Sequence, residues 1–132
     1  MTVNRLQPTL APLLSVRRGK QALEFYKKAF SVEVLSCVES PDGEIVAELV
    51  LGSSRFWVAD ESPANKNFSP ETLNGSSVRM VLVADDPDSV FDQAIRAGAT
   101  SVYAVADQRY GWRVGRLEDP FGHHWEIGKP IN

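Results

Sequence analysis

A chain of 132 residues, 43% hydrophobic and 23% charged, has room for one domain with a real core and not for two. A net charge of −3 provides no basic stripe to meet a phosphate backbone, so nucleic acid is not an expected partner. The single cysteine, Cys37, excludes an internal disulfide framework. Neither Met1–Pro12 nor any later run has the apolar length of a signal peptide or a bilayer span, and the expectation is a soluble, cytoplasmic protein.

In chain order, Leu10–Val16 reads as a strand with Leu14 and Val16 on one face. Gly19–Phe30 changes to helical periodicity: Ala22, Leu23, Phe25, Tyr26, Ala29 and Phe30 form the apolar stripe, while Lys20, Glu24, Lys27 and Lys28 face outward. Val32–Glu39 is strand-like, Pro41-Asp42-Gly43 signals a hairpin turn, and Glu44–Leu51 returns as its partner. Arg55–Ala59 follows after another turn. Residues 61–77 are rich in Pro, Asn, Ser and Gly with few apolar anchors, and read equally as a mobile functional loop or a linker.

The order then repeats. Val78–Ala84 is a strand. Asp86-Pro87 begins a helix with the stripe Val90, Phe91, Ala94 and Ile95, and Gly98 ends it. Thr100–Val105 and Arg113–Glu118 are strands on either side of a turn at Gln108–Trp112. In Asp119-Pro120-Phe121-Gly122-His123-His124-Trp125-Glu126-Ile127, a tight turn leads into a last strand, with His124 and Glu126 on one face and Trp125 and Ile127 on the other. The pairs Gly43/Gly111, Leu49/Leu117 and Trp57/Trp125 are each 68 positions apart. Leu14/Leu82, Leu23/Phe91, Ala29/Ala97 and Val34/Val102 keep that spacing. The chain is a tandem duplication of a βαβββ unit, with module one at about 8–60, the loop at about 61–77 and module two at about 78–128.

Two βαβββ units, with Ala22-Leu23-Glu24-Phe25-Tyr26 on the first helix and Asp119–Glu126 at the end, resemble the vicinal oxygen chelate superfamily, which includes glyoxalase I, extradiol dioxygenases, fosfomycin-resistance enzymes and bleomycin-binding proteins. The segments Glu24–Phe30 and Asp107–Arg113 resemble its PhnB-like branch. The resemblance implies an α+β fold of two curved mixed sheets, with helices on the outer faces and a cleft inside each sheet. In many members the modules of two chains come together, so a homodimer is expected.

Metal-dependent members hold a divalent ion with four inward His or Glu ligands on the first and last strands of each module. Matched to this chain, the positions fall on Ala11, on Val58 (the repeat partner of Glu126), on Arg79 or its neighbour Met80, and on Glu126. Alanine and valine have no ligating atom and arginine is a permanent cation. Glu48 lies on a preceding strand, and of His123 and His124 only the second can look into the cleft. No metal and no other cofactor is therefore expected.

Alternation assigns Ala11, Leu13, Phe56, Val58, Arg79, Val81, His124 and Glu126 to the cleft. Tyr110, Trp112, Arg113 and Phe68 are candidates for its mouth, with Asp107, Arg109 and Arg113 also read as solvated or paired charges, and Trp57 and Trp125 are placed on the opposite face beneath the helices. The expected ligand-binding residues are Arg79, Phe56, Tyr110, Trp112, Arg113, His124 and Glu126. Arg79 would meet an anionic or carbonyl group, or simply pair with Glu126. Glu126 and His124 are the candidates for any acid–base chemistry. The expected function is metal-independent binding of an amphipathic or aromatic small molecule in the manner of bleomycin-resistance proteins. The alternative is a divalent-metal-dependent lyase, isomerase or dioxygenase.

Overall fold

The computed structural model describes residues 5–131. Module one runs β1 (Leu13–Val16), α1 (Gly19–Phe30), β2 (Glu33–Glu39), β3 (Ile45–Leu51) and β4 (Ser54–Asp60). Module two runs β5 (Arg79–Val83), α3 (Pro87–Ala97), β6 (Thr100–Asp107), β7 (Trp112–Glu118) and β8 (His124–Pro130). Each module is a four-stranded mixed sheet in the same order, β1-β4-β3-β2 and β5-β8-β7-β6, with its first and last strands parallel. The strands and both long helices lie close to where periodicity puts them.

The helices are bounded by local chemistry. The Asp86 carboxylate accepts the Ser89 N–H at 3.2 Å and Pro87 opens α3, while Ser31 ends α1 in the left-handed conformation, donating its N–H to the Lys27 carbonyl. Lys27 and Lys28 place positive charge at the carboxyl end of α1, where the helix dipole favours it. The stripe Ala22, Leu23, Phe25, Tyr26, Ala29 and Phe30 is buried throughout.

The two helices pack on each other, and both sheets turn their apolar faces toward them. Leu14, Val16, Ala47, Leu49, Phe56 and Val58 from the first sheet and Leu82, Leu117, Trp125 and Ile127 from the second belong to one core cluster. Aromatic rings join the halves: Tyr26 of α1 lies 5.7 Å from both Phe56 and Trp125, and Phe30 lies 4.5 Å from Trp125.

A buried carboxylate lies at the centre of this junction. Asp119, 3% exposed, accepts the N–H groups of Phe121 and His123 on one oxygen and the Tyr26 hydroxyl (2.5 Å) and Trp125 indole N–H (3.0 Å) on the other. Four donors compensate for the lost hydration of the charge. Burial, with Asp119 beside it, pushes the Tyr26 phenol well above its ordinary value. His123, next in the motif, meets the Ser15 carbonyl of β1 at 2.9 Å, so it also ties the modules together.

The segment 61–77, left open between loop and linker, is an anchored connector. It contains a 3₁₀ turn at Pro63–Asn65 and a short helix, α2 (Pro70–Leu73), capped by the fully buried Ser69. Glu61 accepts the Ser69 N–H and the Thr72 hydroxyl. Arg17 reaches Thr72 and Arg18 reaches Glu71. Pro70 lies against Gly122, where φ is +93° and an added Cβ would come within 2.7 Å of the proline ring; both features require glycine at that turn.

Replacing Asp119 with Ala is expected to strand four donors and lower the unfolding free energy by about 3 kcal/mol or more, read from urea denaturation. Because the Tyr26 phenol is raised in the folded state, its stabilising contribution is complete below the unfolded tyrosine value, about 10, and is lost as the pH rises beyond it. Tyr26→Phe is accordingly expected to be less stable than the parent at pH 8 and to approach it above pH 10. A gap that stays constant with pH would contradict the buried, protonated phenol.

Candidate functional site

The faces of the two sheets that point away from the helices are open. On the first sheet, burial of Phe56 and Val58 against the helices sends Arg55, Trp57 and Ala59 of β4 the other way, beside Leu13 and Ser15 of β1 and Val46 and Glu48 of β3. This corrects the expectation at three positions. Phe56 and Val58 are core residues, 3% and 0% exposed, and Trp57 is a half-buried residue of the open face.

The reason is one extra residue. Leu49 pairs with Phe56 seven positions on, whereas Leu117 pairs with Trp125 eight positions on, because the turn at 119–123 is longer than the hairpin at Gly52-Ser53. The repeat offset is therefore 68 in β7 and 69 in β8, and the bulged first half of β6 runs at 67, so Val34 corresponds to Ser101. The structural partner of Trp125 is Phe56, and that of Glu126 is Trp57. A one-residue slip inverts the faces of a strand. The unequal turns, visible in the sequence, were the signal that would have found Trp57.

The second sheet keeps its assigned alternation. Register places Val81, Glu126, Arg116 and Tyr103 in one row across the open face, and Arg79, His124 and Glu118 in the next. Arg79 Nε lies 2.5 Å from a Glu126 oxygen. Arg116 Nε donates to His124 Nδ1 at 3.1 Å, and the His124 Nε2 edge lies 3.8 Å from Glu118. With Nδ1 accepting, neutral His124 carries its proton on Nε2. Tyr103 is raised above its ordinary value, first by burial and then by the nearby Glu126 carboxylate, and is a protonated donor at neutral pH. Neither Arg116 nor Tyr103 was assigned to the site from the sequence.

Of the remaining candidates, Tyr110 is exposed at the tip of the β6–β7 turn, and half-buried Trp112 begins β7 on the face of Val114 and Arg116. Arg113 is a correction. It faces α3, held by both Asp88 oxygens (2.8 and 2.7 Å) and by Asp107 (3.0 Å), and this pairing lowers the Asp88 carboxyl below its ordinary value. A guanidinium committed to two carboxylates on the helix side is not a cleft residue. Ala11 precedes β1, so the residue beside Trp57 is Leu13, and Met80 packs toward the core. The inward positions of the four relevant strands are thus Leu13, Trp57, Arg79 with Val81, and His124 with Glu126. These positions offer one carboxylate, paired with arginine, and one imidazole, with Glu118 of β7 3.8 Å from that imidazole. Among the described residues, no three His, Cys, Asp or Glu side chains are grouped to hold a metal.

The open faces are shallow. A depression of about 360 Å³ on the first sheet is bordered by Leu13, Ser15, Val38, Val46 and Ala59. A polar groove of about 530 Å³ lies between the connector and the turn before β8, with Arg17, Glu118 and His124 on its walls.

Paired βαβββ units with this strand order define the class. The fold is that of the glyoxalase/bleomycin resistance/dioxygenase proteins, and solved structures share it. A family enzyme of that description from Burkholderia phytofirmans superposes with a TM-score of 0.69 at 22% identity, over 90% of this chain and 95% of its own. A gene product of Arabidopsis thaliana superposes at 0.73 with 28% identity, over 95% and 100%. The fosfomycin resistance protein FosX of Listeria monocytogenes reaches 0.73 at 9% identity, over 96% of each chain. The Glyoxalase-like domain model matches residues 13–128, and the chain belongs to that family. A protein of uncharacterized function from Mycobacterium bovis is 38% identical over 99% of this chain and 88% of its own length. No described helix is long and apolar enough to cross a membrane.

Truncation separates Trp57 from Trp125. Trp125→Ala is expected to cost about 3–5 kcal/mol as a core deletion, and Trp57→Ala about 1 kcal/mol, both by denaturant unfolding. Trp57→Phe should also remove an acrylamide-accessible share of the fluorescence; equal stability losses would refute this placement.

Proposed function

We propose that the protein is a homodimeric, metal-independent binder that sequesters an amphipathic or aromatic small molecule between its open sheet faces, making and breaking no bond. The observation that supports metal independence is the Arg79–Glu126 pair: the carboxylate at the position where relatives ligate a metal faces a fixed cation at 2.5 Å. Arginine keeps its charge at every physiological pH and repels a divalent ion. Assignment to the PhnB-like branch belongs to the same proposal.

Dimerisation is supported by the surface. Leu13, Val38, Val46, Val81 and Val83 are between 45% and 71% exposed, and those of each sheet share its open face. Contiguous apolar area of this kind marks a binding surface on a soluble protein. A second copy that covers these faces while leaving a gap would enclose a pocket lined by Trp57, Tyr103, Trp112 and valines, the apolar lining with few polar groups that small-molecule sites have.

The test is elemental analysis of chelator-free protein with titration of Mn²⁺, Ni²⁺ and Zn²⁺, together with sedimentation. The expected result is a dimer with metal at background and no saturable binding. Stoichiometric binding abolished by Glu126→Ala would replace the proposal with a divalent-metal-dependent lyase, isomerase or dioxygenase, and a monomer at micromolar concentration would remove the enclosed pocket.

A further inference from the structure

Arg116 stands apart from the other arginines. Arg17, Arg18, Arg55, Arg79 and Arg113 each pair with a carboxylate, and Arg5, Arg96 and Arg109 are exposed and free to hydrate. Arg116 is half-buried and in no ion pair among the described residues. Its Nε donates to His124 Nδ1, and its two terminal nitrogens have no protein acceptor there. Those nitrogens are not buried, and an accessible guanidinium fork with open donors matches the two oxygens of a planar carboxylate.

Its surroundings indicate which anion. Tyr103 is its register partner on β6, and Glu126, its partner on β8, is held by Arg79. The next row, Val83, Gly128, Val114 and Ala106, is apolar and includes a glycine. A dianion such as a phosphate would suffer from Glu126 and Glu118 nearby, whereas a monoanion needs only the one free guanidinium. Resting on the binding function proposed above, we propose that Arg116 and Tyr103 form the recognition site for the carboxylate of a planar aromatic acid, whose ring lies over the exposed Val81 and Val83. His124 is a positioning residue: by accepting from Nε it turns the terminal nitrogens of Arg116 toward the ligand.

The experiment is calorimetric titration of the full chain with 1-naphthoate and its neutral isostere 1-naphthamide, with sedimentation in parallel. A charge-assisted pair is expected to make naphthoate bind about 10- to 100-fold more tightly. Arg116→Met should reduce naphthoate to the affinity of naphthamide and leave naphthamide unchanged. If that variant does not fold, Tyr103→Phe gives the same reading, with naphthoate weakened severalfold and naphthamide unaffected. Equal binding of the two probes by the parent overturns the carboxylate assignment while leaving the aromatic-binding function standing; binding of neither overturns both. Dissociation of Arg116→Met into monomers with the carboxylate preference intact would make Arg116 an interface cation and overturn the inference.

Discussion

The Asp119 carboxylate is the constraint on which the rest of the molecule depends. It is a charge placed in the seam between two modules, and its hydrogen bonds determine how they meet. Two of its donors are N–H groups of its own turn, which shapes the entry to β8. The third is the indole of Trp125, which sets that strand's inward face, and the fourth is the hydroxyl of Tyr26, from the other module. The charge cannot leave water unless all four are in place, so turn, strand face and module docking form together.

The candidate site follows from that arrangement at one remove. Because Trp125 and Ile127 turn toward the helices, His124 and Glu126 must face the open side of the sheet. The turn that holds Asp119 also carries the residue that shifts the repeat by one, so the two open faces are not copies. Where one has Trp57 the other has Glu126, and where one has Glu48 the other has Arg116. The longer turn exchanges Trp57 for Glu126 at one position, and substitution at the unshifted positions, such as Glu48 to Arg116, accounts for the rest.

The fold was legible because its signals are local and redundant. A stripe such as Ala22, Phe25, Tyr26 and Ala29 admits one face, and Asp86-Pro87 and Gly98 mark their helix ends by backbone chemistry alone. The site was legible only in part. Arg79, His124 and Glu126 came from alternation in strands whose register had been judged correctly. Phe56 and Trp57 were exchanged because a constant offset was carried across a turn where the spacing changes. Arg113 was misplaced because alternation from the core residue Leu117, which puts it on the helix side of β7, was not applied to it; Asp88, 25 positions away, holds it there.

The sequence by itself determined the two βαβββ units and the identity of their core stripes, since composition and short-range period depend on neighbours a few residues apart. Only the tertiary structure decided which face of β4 is the open one, which arginines are neutralised and which one keeps its donors free, and that residues 61–77 strap the modules together. Those properties arise from register and from contacts between residues distant in sequence. A one-residue change in pairing reverses a strand's faces, and its mark lies in the length of the preceding turn, not in the strand's own pattern.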